Sequence, residues 1–437
     1  MKSNRRTFLK TLGPLVAVPY FLPSCINSSS ANSRLTMGFI GMGIQSRYLM
    51  SRFAADVQIL AVCDVDQTRQ THAQQWVDKF YTENPERGSS GCTVYSDYRE
   101  LLERDDIDTV CIATPDHWHS TIIELALKKG KDVYCEKPLT HNIQEAIDVM
   151  KAVKKHKRVL QTGSMQRSSQ EFRVACELVR NGAIGKIDHV DAAFGGPPIP
   201  CDLPEEEMET GLDWNFWLGP APMRPYNSVL SPRGIHRHYP AWRNYREYGT
   251  GGVGDWGAHH LDIAHWGLGV DDSGPVEIKF VNDEATLIYP NGVPVTRKDS
   301  GFGVHFFGTD GEVMVNRGRF KMIVKGETVA AFNGNQTPDT NCSTEVGKAE
   351  ALFLKDAKIK LYNSPSHYMD FLDAVKNRTK PIANEQVGGR TVIGCHLINQ
   401  LYYHNETIKW DPEKLEFAKG TGDPSWLTKE YRDWDKA

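Results

Sequence analysis

Leu35-Thr36-Met37-Gly38-Phe39-Ile40, running straight into Gly41-Met42-Gly43-Ile44-Gln45-Ser46, decides the fold of this chain. The first six residues form an apolar strand, and the two glycines turn it into a helix, which is the context a dinucleotide fingerprint requires. Gly41 permits the tight turn, and Gly43 lets backbone approach a pyrophosphate at the helix N-terminus, with Met42 and Ile44 in the same turn. Ser46 stands where a third glycine is usual and loosens the helix–strand contact slightly. A second strand over residues 58–63 ends at Asp64, 23 residues beyond Gly41. A carboxylate there accepts hydrogen bonds from a ribose diol and repels a 2′-phosphate, so NAD is favoured over NADP. The alternative for Asp64 is an ordinary turn residue, and Arg69 leaves NADP open.

Working outward, helix is expected over residues 68–81, a brief strand at 94–95, and buried strands at 109–113 and 132–135. Helices follow at 120–129, closed by Gly130, and at 143–156. Strands alternating with helices imply parallel βαβ units in a doubly wound sheet. Thr114-Pro115-Asp116-His117-Trp118-His119 then lies at the sheet's carboxyl edge and borders the nicotinamide ribose. His117 and His119 are equally readable as solvated loop residues or as a pair at a helix N-terminus. Cys135-Glu136-Lys137-Pro138-Leu139 ends the fifth strand at the same edge, where open α/β folds bind ligands. The Lys137 ammonium can hydrogen-bond a substrate oxygen and favour a developing alkoxide, with Glu136 beside it at the cofactor.

Beyond residue 157 the texture changes. A helix is expected over 172–181, strands at 159–163, 187–194, 276–281, 284–288, 303–307 and 312–315, and helices at 366–376 and 387–404. A mainly antiparallel sheet fed by a loop-rich stretch, 195–254, fits this order, with Gly308-Thr309-Asp310-Gly311 as a hairpin turn. The expected division is 1–33 as leader and tether, 34–157 as Rossmann domain, and 158–437 as the domain that binds substrate and mediates homo-oligomerisation. Tryptophans between 214 and 266 suit either a sugar-stacking cleft or simple core packing.

Four pieces stand together: Gly41-x-Gly43 with Asp64, Ala113-Thr114-Pro115 with His119, Glu136-Lys137-Pro138, and Gly251-Gly252-Val253-Gly254-Asp255-Trp256-Gly257-Ala258-His259-His260-Leu261-Asp262. The combination resembles the glucose–fructose oxidoreductase, inositol dehydrogenase and rhizopine-catabolism (Gfo/Idh/MocA) family, and Asp213-Trp214-Asn215-Phe216-Trp217-Leu218-Gly219-Pro220 resembles a branch common among exported members. The resemblance implies an α/β fold, with an N-terminal Rossmann domain and a C-terminal α/β domain carrying an open-faced sheet. It also implies NAD or NADP as cofactor and a sugar, glycoside or cyclitol as substrate. Its catalytic set maps to Lys137, Asp255 and His259, the last two also touching substrate.

Positions four apart on one helix share a face, so Asp255 and His259 are expected to point into one cleft, with Asp262 a turn further on. Other readings stay open. Asp255 would suit a helix cap, His259 and His260 a packed core, and Asp255, His259, His260 and His265 together a metal site, though they lack a compact zinc spacing. Gln166, Arg167 and Arg243 are candidates for binding substrate hydroxyls, or for salt bridges. Two further functions compete with the dehydrogenase: a redox-neutral glycosidase or lyase using transient oxidation, and a sugar-binding protein that keeps the fold without turnover.

Composition bounds the rest. With 437 residues, 40% hydrophobic and 24% charged, the chain can form two well-cored domains, and a net charge of −4 gives no reason to expect nucleic acid as a partner. Nine cysteines include no Cys-x-x-Cys pair, and Cys63, Cys111 and Cys135 fall in apparent buried strands. Asn4-Arg5-Arg6-Thr7-Phe8-Leu9-Lys10 resembles a twin-arginine export signal, with an apolar run over 12–22 too short to span a bilayer. Leu22-Pro23-Ser24-Cys25 resembles a lipoprotein cleavage box, so lipidation at Cys25 and plain cleavage are both open. The expected location is the periplasm, reached as a folded protein already carrying its cofactor.

Overall fold

The computed structural model describes residues 34–335 and 341–434. Arg5, Arg6 and Cys25, on which the export and anchoring expectations rest, lie outside the described residues. The first domain alternates β1 (Thr36–Ile40), α1 (Ile44–Phe53), β2 (Gln58–Cys63), α2 (Gln67–Glu83), β3 (Thr93–Tyr95), α3 (Tyr98–Leu102), β4 (Thr109–Ile112), α4 (Asp116–Lys128), β5 (Asp132–Cys135), α5 (Ile143–His156) and β6 (Leu160–Thr162). Its six strands are all parallel, in the order β3-β2-β1-β4-β5-β6. Helices cover both faces, so every residue of β4 and β5 is buried, as unbroken apolar runs in parallel sheets require. Asp66 caps α2 and Asn142 caps α5 through their side chains, which fixes where these helices start.

The chain order reverses between β1 and β4, which places the glycine turn at the sheet's switch point. Two expectations need correction here. β6 pairs with β5 and so lies beyond the boundary expected at residue 157. α4 begins at Asp116, four residues before the expected start, because the carboxyl-edge segment turns helical immediately after Pro115, whose fixed φ suits a helix entry.

The second domain adds α6 (Gln170–Arg180), β7 (Ile187–Ala193), α7 (Trp214–Leu218), α8 (Gly251–Asp255), α9 (Gly257–Leu268), β8 (Glu277–Val281), β9 (Glu284–Ile288), β10 (Pro294–Lys298), β11 (Val304–Gly308), β12 (Gly311–Asn316), β13 (Arg319–Val324) and β14 (Glu327–Phe332). α10 (Cys342–Phe353), α11 (His367–Asn377), α12 (Glu385–His404), β15 (Ile408–Asp411) and β16 (Glu416–Phe417) complete it. Ten strands run β14-β13-β12-β11-β7-β10-β9-β8-β15-β16, antiparallel except for the pair β10–β7. β10, β13 to β16 and α10 go beyond the sequence reading. β13, for example, reads Arg-Phe-Lys-Met-Ile-Val, and only Phe320 and Met322 of it are buried, so its charged alternate positions mask the pattern.

The C-terminal helices return to the first domain. Tyr368, Phe371 and Val375 of α11 share a core with Phe39, Phe53 and Tyr134, so the division of the chain is not contiguous. The stretch after β7 builds a third core from Trp214, Trp217, Leu218, Tyr226, Leu230 and Trp242. Most of the expected aromatic cluster is therefore packing, with Trp256 left 41% exposed. All eight described cysteines are free, and Cys63, Cys111 and Cys135 are buried as expected.

A candidate active site at the switch point

The glycine turn opens a cleft of about 820 Å³ bordered by Gly41, Gly43, Ile44, Asp64, Thr114 and Pro115. Gly41 has φ +83°, and a Cβ there would lie 2.9 Å from Thr114, so both backbone strain and contact demand glycine. The Cβ direction of Gly43 points into open space, leaving room for a phosphate against the start of α1. Met42 is buried, and its amide donates to Asp64 Oδ2 at 2.5 Å, while Oδ1 accepts from the Asp66 amide at 3.0 Å. Asp64 therefore clasps the turn and borders the cleft at once. Ser46 is fully buried at the place of the third glycine. These features fit a dinucleotide.

Residues of the stretch after β7 roof this cleft. Arg69 donates to Ser231 Oγ at 3.2 Å and to Pro232 O at 2.6 Å, Arg47 donates to His236 O at 2.5 Å, and the Tyr239 hydroxyl donates to Gln45 Oε1 at 3.0 Å. Arg69 is thereby committed to the roof.

A second cavity, of about 1210 Å³, shares Gln45, Thr114, Trp242 and Arg243 with the cleft and holds Lys137, Asp255 and His259. Lys137 stands one residue beyond Glu136 at the end of β5. Its Nζ donates to Asp255 O at 2.9 Å and pairs with the Asp255 carboxylate. Asp255 closes α8 and His259 lies in the first turn of α9, so the two reach the cavity from two helices meeting at Trp256 rather than from one continuous helix. No side chain caps α9, so the capping role for Asp255 is set aside.

Burial disfavours the charged form of Asp255, but Lys137 and Arg243 outweigh it and hold its carboxyl below the usual range. Burial, reinforced by Lys137 and Arg317, drives the His259 imidazole well below its ordinary value, so it stays neutral, with Nδ1 buried and unpartnered. Burial raises Glu136 against the pull of Lys137 and Gln45. Its Oε1 accepts from Gln45 at 2.9 Å, and the absence of a Cβ on Gly163 makes room for the carboxylate.

Other expected site residues are placed elsewhere. Arg167 is 2% exposed and locked to Asp262 at 2.8 Å and Asp271 at 2.7 Å, over the Trp266 ring. The turn at Met165–Ser168 aims it at α9 and not at the cavity, which also removes Asp262 from the site. Gln166 is buried, and its neighbour Met165 lines the cavity instead. His117 and His119 belong to the first turn of α4 and are buried, not in the cofactor cleft. The ring nitrogens of His117 face Tyr248 O and Trp217 O, and those of His119 face Pro138 O at 2.8 Å and Thr114 O at 3.0 Å. His119 thus ties together the two turns that present Thr114 and Lys137. His260 bonds Ala193 O and His265 bonds the Tyr289 hydroxyl, and no cluster able to hold a metal exists among the described residues.

Arg243 does border the cavity, stacked on Trp242 at 4.2 Å and 3.8 Å from Asp255. Asp116, which the sequence places in the carboxyl-edge segment without a task of its own, lines the cavity, and so does Arg317, which is absent from the sequence reading. Arg317 comes from the β12–β13 turn and stacks on Trp256 at 4.8 Å, with no hydrogen-bond acceptor for its guanidinium among the described residues. No spacing relative to the glycine turn could have identified it. Arg317→Ala is expected to raise the KM of the substrate roughly tenfold to a hundredfold with kcat little changed, the loss of a charged hydrogen bond. Steady-state kinetics check this, and an unaltered KM would mean that Arg317 does not touch substrate.

Residues 35–164 match the oxidoreductase family described as having an NAD-binding Rossmann fold, and residues 200–302 match that family's C-terminal alpha/beta domain, together just over half of the chain. A glycosyl hydrolase family 109 protein of Shewanella pealeana is 28% identical, covering 50% of this chain and 51% of its own. An inositol 2-dehydrogenase/D-chiro-inositol 3-dehydrogenase of Lactiplantibacillus plantarum is 30% identical, covering 42% and 51%. The chain spans about half the length of the curated relatives it matches. Levoglucosan dehydrogenase, solved with NADH and levoglucosan, aligns with a TM-score of 0.58 at 18% identity, over 86% of this chain and 99% of that one, which speaks to the fold alone. The glycine turn, the Glu136-Lys137-Pro138 edge and the two matched domains give one conclusion: the chain belongs to the Gfo/Idh/MocA family of oxidoreductases, with an NAD-binding Rossmann domain and a C-terminal α/β domain.

Proposed function

We propose that this protein is an exported NAD-dependent oxidoreductase that oxidises a hydroxyl group of a sugar, glycoside or cyclitol. The observation that carries this reading is the meeting of Lys137, Asp255 and His259 in a cavity continuous with the glycine-turn cleft. Gly41, Gly43, Ile44, Asp64 and Thr114 would hold the dinucleotide, which supplies the hydride acceptor when bound. Lys137, kept in place by Asp255, hydrogen-bonds the substrate oxygen and stabilises its negative charge. His259, neutral before reaction, takes the hydroxyl proton. Arg243 and Arg317 orient the remaining hydroxyls. Asp64 at the cleft and the commitment of Arg69 to the roof favour NAD over NADP. A screen of sugars, glycosides and cyclitols for NADH formation tests the reading, and a broad panel bound without redox change would replace it with a binding function.

The likeness to glycosyl hydrolase family 109 proteins supports a second reading, a redox-neutral glycosidase in which oxidation is transient and the same cofactor is restored. Aglycone released without net NADH would favour it. Oxidised sugar accumulating in step with NADH would exclude it.

Export with the cofactor in place follows from the twin-arginine resemblance at Arg5-Arg6, and lipidation at Cys25 would tether the protein to the membrane. The roof over the cleft supports retention, because Gln45 and Arg47 of α1 and Arg69 of α2 bind it from two elements of the first domain. Mass spectrometry of the undialysed, denatured periplasmic protein is expected to find NAD at near-stoichiometric amount. An empty protein, active only with added NAD, would contradict retention.

A further inference from the structure

Beside Asp255 and Glu136, the cavity contains a third carboxyl group, which the reaction above leaves without a task. Asp116 opens α4 and is 3% exposed, yet it borders the same cavity as Lys137, Asp255 and His259. Its Oδ2 accepts from Thr250 Oγ at 3.0 Å, and among the described residues no donor reaches Oδ1. An acid in the first turn of a helix usually serves that helix. Here the bond runs instead across to the residue that precedes α8, and no side chain caps α4. A buried carboxyl with one oxygen anchored and the other unpartnered beside the reacting groups is built for proton exchange.

We propose that Asp116 is a further catalytic residue, the group on which the substrate's hydroxyl proton comes to rest after oxidation and from which it returns in reduction. This rests on the oxidoreductase reading. The O–H bond breaks and its electron pair becomes the second C–O bond, while the carbinol C–H pair leaves as hydride to the dinucleotide. The proton passes to His259 and then, through water in the cavity, to Asp116 Oδ1, which becomes a neutral carboxyl.

The electrostatics support this division of labour. Burial pushes the Asp116 carboxyl up to about 7, helped by Asp255 and opposed by Arg243, Thr250 and Lys137. Lys429 and Tyr431, from the C-terminal segment, and Cys135, from β5, also face it. Two carboxyl groups of one cavity are thus pushed apart, Asp255 ionised and Asp116 near its midpoint at neutral pH, the pattern that marks acid–base partners. His259, driven well below its usual range, cannot retain a proton there and must hand it on.

Oxidation then requires the Asp116 carboxylate and rises with pH through about 7, whereas reduction requires the neutral carboxyl and falls over the same range. Asp116→Asn keeps an acceptor for Thr250 and is expected to lower kcat roughly a hundredfold in both directions and to flatten both limbs. Melting temperature and dinucleotide binding should not change, which a purely structural role would not allow. Thr250→Val removes the bond that favours the carboxylate and should move both limbs to higher pH. Wild-type kcat and limbs in Asp116→Asn would overturn the proposal. If that variant fails to fold, unmoved limbs in Thr250→Val overturn it instead. Absence of any turnover in the wild-type holoenzyme would sink the oxidoreductase reading itself, and this proposal with it.

Discussion

Lys137→Met is expected to lower kcat by roughly two to three orders of magnitude while leaving dinucleotide binding intact. Methionine fills the space of the lysine stem but cannot donate to the substrate oxygen, and removal of one such donor typically costs that much. The substitution also takes the ammonium from Asp255, whose carboxyl Lys137 helps to hold below the usual range, so the Asp255 carboxyl rises. His259 loses one of the cations that depress it, so its imidazole rises as well. The residual activity should therefore show a displaced pH profile and not a uniformly scaled one. Steady-state kinetics across pH, with cofactor binding followed by fluorescence, checks both parts. Full turnover in Lys137→Met would remove the lysine from the reaction.

The second large effect concerns folding. Arg167→Leu leaves Asp262, 1% exposed, and Asp271 without their shared cation, and breaking a buried ion network in this way costs about 3–5 kcal/mol. Burial already raises the Asp262 carboxyl against the pull of Arg167, and in the variant burial and the Asp271 charge are opposed only by the Thr391 hydroxyl. A carboxyl raised in the folded state is tolerated when protonated, so the deficit should be smaller at acid pH and grow as pH rises past the unfolded-state value. Changing Asp262 to leucine as well should restore part of the loss. Thermal and denaturant melts decide the matter. A raised KM with unchanged stability would instead favour substrate binding over the salt bridge, the two roles that the position of Arg167 after a strand leaves open.

That contrast between Arg167 and Lys137 shows what the sequence could reveal. Lys137, Gly41, Gly43 and Asp64 sit at strand ends in a regular βαβ alternation, and there strand position alone dictates which edge of the sheet a residue occupies. Arg167 follows a strand too, but a single short turn sets its direction, and no periodicity encodes that turn. His117 and His119 were legible as polar residues at the right edge. Their burial depends on carbonyls contributed by Trp217, Tyr248 and Pro138, far away or on another turn.

The spacing of Asp255 and His259 predicts one helix face, whereas the two residues line one cavity from two helices, because the break at Trp256 lies within a run whose spacing reads as one helix. Arg317 and the roof over the cleft depend on register in the second sheet and on an aromatic-rich loop. Both are products of tertiary packing rather than of local pattern.

The central claim is that a substrate hydroxyl carbon gives its hydrogen to the cofactor held beside Lys137, Asp255 and His259. The most direct measurement is a single turnover of the NAD-loaded protein with a sugar or glycoside deuterated at the carbinol carbon, quenched and read by mass spectrometry of the nicotinamide. The account predicts deuterium at nicotinamide C4 in wild type and a greatly slowed transfer in Lys137→Met. Product formed with no label in the cofactor would contradict it.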